Sequence, residues 1–282
     1  MNWVFVGAGN MASSLIGGLL GSGAIATSIA VVDPDDSACA RAVEQFGINA
    51  AKDLTSALNA FSDDQLGIVL AVKPHIIESV CAAIKECAAK RAFTNDSLPL
   101  VISVAAGVRA SSMETWLPEN TALVRCMPNT PALLGLGATA LFANASCSAE
   151  QKKSAVSLLK TAGMAIWVEA EQQLDAVTAV SGSGPAYFFY LIEHMASAGA
   201  ALGLDESVAR DLAIETAFGA ASMARAKKHP PAVLRENVTS KGGTTAAALA
   251  VFDESEMPAI VEKAMQAAKD RASELGDQLA PK

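Results

Sequence analysis

The sequence is poor in aromatic residues (5%), in charged residues (18%) and in histidine, of which it has three. Scarce aromatics beside abundant alanine exclude a core built on large aromatic anchors and point to close helix packing. His75, His194 and His229 stand far apart, with no ligand spacing among them, so no metal site is expected. The five cysteines, Cys39, Cys81, Cys87, Cys126 and Cys147, are odd in number and form no Cys-x-x-Cys pair. They read as reduced packing residues of a cytoplasmic protein. Long apolar runs are also missing. Residues 98–108 and 131–145 fall below the roughly 18–20 residues that cross a bilayer, so no membrane association is expected. The opening Met1-Asn2-Trp3-Val4 lacks the basic and apolar regions of a secretory signal. Positive charge is short as well: 21 basic against 29 acidic residues leave a net charge of -8. That balance repels a phosphate backbone, and the trio Arg225, Lys227 and Lys228 is too small a cluster to reverse it. Nucleic acid is not an expected partner.

What is present is apolar: 51% of 282 residues, with a mean hydropathy of +0.32. Such a chain folds, and its length suits about two domains at roughly 100–200 residues each. Strand-like runs at 2–6, 28–32, 66–72, 100–104, 122–126 and 165–168 alternate with helix-like segments at 11–20, 36–46, 75–89 and 148–161. Gly47 closes the second of these helices and Ser148 suits the cap of the last. Alternation of this kind predicts an α/β domain with a doubly wound parallel sheet covered on both faces. From residue 169 onward the pattern is helical throughout, with segments at 174–180, 185–202, 206–228, 231–237, 244–252 and 258–275. The expected division is therefore 1–168 and 169–282, the second part all-helical. The small residues at 196–201 suit a helix lying close against another helix, of the same subunit or of a second one.

Val6-Gly7-Ala8-Gly9-Asn10-Met11-Ala12 follows the first strand and opens the first helix, the context that a Gly-x-Gly-x-x-Ala fingerprint requires. Gly7 permits the tight turn, Gly9 lets a pyrophosphate approach the backbone, and Ala12 lets the helix lie close to the strand. Asp33 ends the second strand, where a carboxylate holds the ribose 2′-hydroxyl of NAD. Asp35 and Asp36 follow it, with Arg41 the one nearby cation. A 2′-phosphate about 4 Å from a carboxylate meets repulsion of up to about 4 kcal/mol at an effective dielectric near 20. On residues alone NADH is favoured over NADPH. Ala71-Val72-Lys73-Pro74 and the turn that begins Val104-Ala105 lie past strand ends, where open parallel sheets bind ligands.

Further along stand Arg125-Cys126-Met127-Pro128-Asn129-Thr130-Pro131, Ser181-Gly182-Ser183-Gly184-Pro185-Ala186-Tyr187 and Gly242-Gly243-Thr244-Thr245. A Gly-x-Ser-x-Gly nucleophile centred on Ser183 is excluded, because Ser181 and Pro185 stand where glycines are needed. Gly243, Thr244 and Thr245 precede an alanine-rich helix and can offer N–H groups and hydroxyls to an anion. For Thr245, a plain helix N-cap is the competing reading.

Together with Gly7–Ala12, these motifs resemble the pyrroline-5-carboxylate reductases, in order along nearly the whole chain. The resemblance implies a Rossmann domain followed by a helical domain that dimerises by intertwining: a homodimer, with a decamer of dimers as the larger form. It implies reduction of L-1-pyrroline-5-carboxylate to L-proline, the last step of proline synthesis, with NADPH or NADH. The cofactor would meet Val6, Gly7, Ala8, Gly9, Asn10, Met11, Asp33, Ala71, Val72, Lys73, Pro74, Ala105, Met127, Asn129 and Asn237. Substrate would meet Glu171, Ser181, Ser183, Gly243, Thr244 and Thr245. Thr245 would be the catalytic hydroxyl, placed at the substrate nitrogen. Three positions depart from the family pattern: Lys241 stands for a proline, Asp53 for an asparagine near the adenosine, and Asp33 goes against the common use of NADPH. Two other readings stay open: a related imine or hydroxyacid reductase, and a non-catalytic nicotinamide sensor.

Overall fold

The computed structural model describes residues 1–61, 65–91, 98–226 and 228–280. By contacts the chain forms two compact units, Met1–Gly182 with Ala268–Lys282, and Ser183–Ala267. The break falls beyond residue 168. After the last strand, the chain still packs on the sheet through Leu174, which is fully buried. The last helix then returns to the first unit.

In the first unit the strands are β1 (Asn2–Val6), β2 (Ile29–Val32), β3 (Asn49–Ala51), β4 (Leu66–Leu70), β5 (Leu100–Ser103), β6 (Leu123–Met127), β7 (Gly137–Ala143) and β8 (Gly163–Trp167). They form one eight-stranded sheet in the order β3-β2-β1-β4-β5-β6-β7-β8. Successive residues of a strand face opposite sides. Trp3 and Phe5 therefore enter one core and Val4 and Val6 the other. The run reads as continuously apolar because both faces are covered. Helices α1 (Asn10–Gly21), α2 (Asp36–Phe46) and α6 (Ala149–Lys160) bury Leu15, Ile16, Cys39 and Leu158 on the Phe5 side. Helices α3 (Leu54–Asn59), α4 (Ile77–Arg91) and α5 (Ala110–Trp116) bury Leu58, Ile84 and Met113 on the Val4 side. Each fully buried side chain of this size contributes about 1.5–3 kcal/mol.

Local signals account for the element ends. Gly47 closes α2 at φ 66°, and the capping box of Ser148 with Gln151 opens α6. Four elements lay outside the sequence expectation, among them the seven-residue helix α5. β3 is three residues long and α3 six, too short for periodicity to register. The last is β7, which runs antiparallel to β6 inside an otherwise parallel sheet. A 3-10 turn at Thr130–Leu134, ended by Gly135 at φ 69°, is too short a connection for a parallel crossover. The strand expected at 66–72 ends at Leu70 and leaves Ala71–Pro74 as a loop.

After β8 come α7 (Gln173–Val177) and a π-helical turn at Thr178–Gly182. The second unit holds α8 (Gly184–Ala201), α9 (Glu206–Arg225), α10 (Pro231–Asn237), α11 (Thr244–Glu254) and the start of α12 (Met257–Gln278). α9 stops at Arg225, short of the expected residue 228, and Lys227 lies outside the described residues. The small-residue end of α8 packs against α9 of the same chain, where Ala209 and Ala213 are buried. Phe188, Phe189, Tyr190 and Phe218 of this unit are each more than 60% exposed. Among the described residues no helix is long and apolar enough to cross a membrane. All five cysteines are free and buried.

Candidate active site

The sheet order reverses between β1 and β4, and ligands of open parallel sheets bind outside the strand carboxyl ends at such a switch point. The tips of β2, β1 and β4 are held together there: Gly7 N–H donates to the Val32 carbonyl of β2, and Ala71 N–H, just past β4, donates to the Val6 carbonyl of β1. Gly7 has φ 103°, and a β-carbon on it would stand 2.5 Å from the Ala71 carbonyl oxygen. Only glycine fits that turn. Gly9 is the N-cap of α1 and has no side-chain cap bond. A β-carbon on Gly9 would meet nothing within 4 Å. The first turn of α1 carries no acidic side chain. The result is a helix N-terminus with free N–H groups facing open space, a cradle that fits a pyrophosphate.

Asp33 lies at the tip of β2. One carboxylate oxygen accepts from Ala8 N–H at 2.8 Å, and the other accepts from Asp35 N–H at 2.9 Å. Asp35 caps α2 through Ser37, whose hydroxyl and amide both donate to it, and these bonds hold its carboxyl below the usual carboxylate range. Arg41 turns back onto this cap, 2.9 Å from the Ser37 hydroxyl and 3.9 Å from Asp35. Asp53 is the N-cap of α3 and accepts from Ser56 N–H at 2.7 Å. An asparagine in its place would cap this helix equally well.

The other expected cofactor residues of the first unit lie at the same carboxyl edge. Val6 and Ala105 are buried, Val72 is half-buried, and Lys73 and Asn10 are exposed. Pro74 opens a 3-10 turn, and Met11, in the first turn of α1, packs against the core. Met127 ends β6, and Asn129 follows it. The Asn129 side chain is used within the protein: Oδ1 accepts from Ala138 N–H at 2.8 Å, and Nδ2 donates to the Ser181 carbonyl at 3.0 Å. Ser181 Oγ donates to the Val177 carbonyl at 3.1 Å. Glu171 accepts at one oxygen from Arg125 Nη1 at 2.7 Å and from Ala110 N–H, the first amide of α5, at 2.6 Å. Arg125 is 5% exposed, and its Nε has no partner among the described residues. The sequence reading gave Arg125 no role, although a charge inside an apolar strand was the available signal.

In the second unit, Ser183 is the N-cap residue of α8 and makes no side-chain cap bond. Asn237 ends α10 and is exposed. Gly242 takes φ 73°, and Gly243 N–H closes a turn onto the Ser240 carbonyl at 3.0 Å. Gly243, not a threonine, is the N-cap of α11; it has no side-chain cap bond and no acidic residue follows in the first turn. Thr244 and Thr245 are thus the first two helical residues, which removes the N-cap reading of Thr245. Lys241 is exposed in the turn before them.

A glycine cradle at the switch point of a mostly parallel sheet, followed by an all-helical unit, defines a Rossmann-type dinucleotide-binding oxidoreductase. Residues 2–107 match the family described as NADP oxidoreductase coenzyme F420-dependent, and residues 171–275 match pyrroline-5-carboxylate reductase dimerisation. A pyrroline-5-carboxylate reductase of Pseudomonas aeruginosa is 45% identical over 98% of this chain and 97% of its own. A solved pyrroline-5-carboxylate reductase from Coxiella burnetii superimposes with a TM-score of 0.89 at 37% identity, covering 100% of this chain and 99% of that one. The Plasmodium falciparum pyrroline carboxylate reductase, solved with NADP bound, has a TM-score of 0.81 at 26% identity, covering 98% of each chain. The chain belongs to the pyrroline-5-carboxylate reductase family.

Proposed function

We propose that the protein reduces the cyclic imine L-1-pyrroline-5-carboxylate to L-proline with a reduced nicotinamide dinucleotide, and works as a homodimer. The reaction adds a hydride to the carbon and a proton to the nitrogen of a C=N bond. The cofactor, held by the Gly7–Met11 turn, Asp33, the Ala71–Pro74 loop, Ala105, the Met127–Asn129 segment and Asn237, supplies the hydride when bound. The chain's own groups do the rest. The uncapped N-terminus of α11 offers N–H groups of Gly243, Thr244 and Thr245 to the substrate carboxylate. Ser181 and Ser183 are further substrate contacts in this reading, and Glu171 ties Arg125 to the start of α5 within the first unit.

The observation that carries this reading is Thr245. It sits one residue inside an uncapped helix, and its hydroxyl has no hydrogen-bond partner among the described residues. A hydroxyl there can donate to the imine nitrogen and orient it for hydride transfer. With no adjacent base it is a weak acid, so its part is orientation and relay of a proton from water. That hydroxyl is also what a non-catalytic sensor would not need.

The cofactor choice follows from Asp33. Both carboxylate oxygens already accept amide hydrogens, and each has a further lone pair for a ribose hydroxyl. A 2′-phosphate at that place meets the fixed carboxylate, so NADH is favoured. The helical unit exposes aromatic side chains that a second copy would cover.

The test is loss of reduced-nicotinamide absorbance with pyrroline-5-carboxylate, with NADH and with NADPH. Wild type and Thr245→Ser should turn over. Thr245→Ala should lose roughly 10²–10⁴-fold in kcat/KM. A wild type that binds dinucleotide and leaves this imine untouched would overturn the reading.

A further inference from the structure

Asn129 stands in an N-cap position before the 3-10 turn at Thr130–Leu134, yet its side chain caps nothing there. It reaches in two other directions: Oδ1 takes the amide hydrogen of Ala138 in β7, and Nδ2 gives one to the carbonyl of Ser181 in the π-helical turn. The amide has only one orientation that fits, because Ala138 N–H can only donate and the Ser181 carbonyl can only accept. A second contact lies beside the first. Gly182 packs directly against the Met127 methyl group, which a β-carbon on Gly182 would displace. The end of β6 thus grips the segment that leads into Ser183 and α8 at two successive residues. That segment is a π-helical turn, a backbone form that wide hydrogen bonding leaves less regular than an α-helix.

We propose that Asn129 is a positioning residue for the substrate loop: its side chain ties the end of β6 to the Ser181 carbonyl and so sets the place of Ser181 and Ser183. This rests on the reading of those serines as pocket residues. Oδ1 and Nδ2 are both engaged within the protein, so the carboxamide is not free to turn toward a dinucleotide, and this segment would meet a cofactor through its backbone. Asparagine is needed because one group must donate in one direction and accept in the other. Aspartate keeps the acceptor for Ala138 N–H and sets a negative oxygen against the Ser181 carbonyl.

The test compares wild type, Asn129→Asp and Asn129→Ala in the full-length protein. Three measurements are made: dinucleotide affinity by fluorescence titration, imine kinetics, and hydrogen exchange of the backbone at 178–185. Asn129→Asp should bind dinucleotide within about twofold of wild type, lose at least about tenfold in kcat/KM for the imine, and exchange faster at 178–185 than wild type. Asn129→Ala should show the same exchange change. Unchanged exchange at 178–185 in both variants overturns the proposal. So does a parallel loss of dinucleotide affinity and kcat/KM, which would make the side chain a cofactor contact. A wild type inert toward the imine would instead defeat the reductase reading, and the exchange comparison would still decide the role of Asn129.

Discussion

The carboxylate of Asp33 accepts a hydrogen bond of 2.8 Å from the amide of Ala8, joining the tip of β2 to the glycine turn after β1. One side chain therefore shapes the glycine turn and, in the proposed reading, would also meet the adenosine ribose. Substitution should separate these duties. Asp33→Ser removes the charge and keeps a hydroxyl acceptor, so the ratio of NADPH to NADH efficiency should rise by about tenfold, equivalent to about 1.4 kcal/mol. Asp33→Ala leaves the Ala8 amide without its charged acceptor and should weaken both cofactors. Steady-state kinetics with the two dinucleotides decide it, and an unaltered ratio in Asp33→Ser would refute the electrostatic argument.

Gly7 and Gly9 should respond differently to alanine. A β-carbon at Gly7 strikes the Ala71 carbonyl at a φ that alanine avoids, so Gly7→Ala should lose at least about 1–3 kcal/mol of stability. Gly9 has an extended backbone and open space before it. Gly9→Ala should melt within about 0.5 kcal/mol of wild type, while its dinucleotide Kd rises about tenfold. Thermal melts paired with binding titrations test both.

The buried pair of Arg125 and Glu171 should be costly to break. Its two side chains are 6% and 16% exposed, and Glu171 also holds the first amide of α5. Glu171→Ala strands a buried guanidinium and should destabilise by about 3–5 kcal/mol. Replacing both, Arg125→Met with Glu171→Leu, should recover much of that loss. A urea midpoint for Glu171→Ala equal to that of wild type would contradict this account.

Burial should make the thiols inert. It pushes Cys81 up to about 12 and Cys147 up to about 11, from an ordinary value of 9.0, and it raises Cys126 further. Iodoacetamide at pH 8 should leave Cys81 and Cys126 unlabelled in the native protein and reach all five cysteines after unfolding. The sign of the pH dependence follows from the raised values. The stability these thiols contribute is intact below about pH 9. It falls as pH climbs towards 11–12, because the unfolded chain releases protons that the folded chain keeps. The slope is about 1.4 kcal/mol per pH unit for each such thiol. Urea midpoints at pH 8 and pH 10.5, for wild type and Cys81→Ala, would show it as a shallower decline in the variant.

The Rossmann half was readable because its signals are local. Apolar runs ending at glycine, Gly47, Ser148 and the fingerprint at Gly7–Ala12 act within a few residues of one another, where propensity and capping operate. Short elements such as β3 and α3 gave no periodicity to find. The antiparallel course of β7 depends on how little chain separates it from β6, which apolarity does not report.

The site divides in the same way. That Gly9 must carry no side chain and that Thr245 bears a hydroxyl near an alanine-rich helix follow from residue order alone. That Asp33 locks Ala8, that Glu171 neutralises Arg125 and that Asn129 holds Ser181 depend on residues brought together from far along the chain. Sequence carries the chemistry of each side chain. Which lone pairs and protons remain free for a ligand is settled only when packing has brought distant partners within hydrogen-bonding distance.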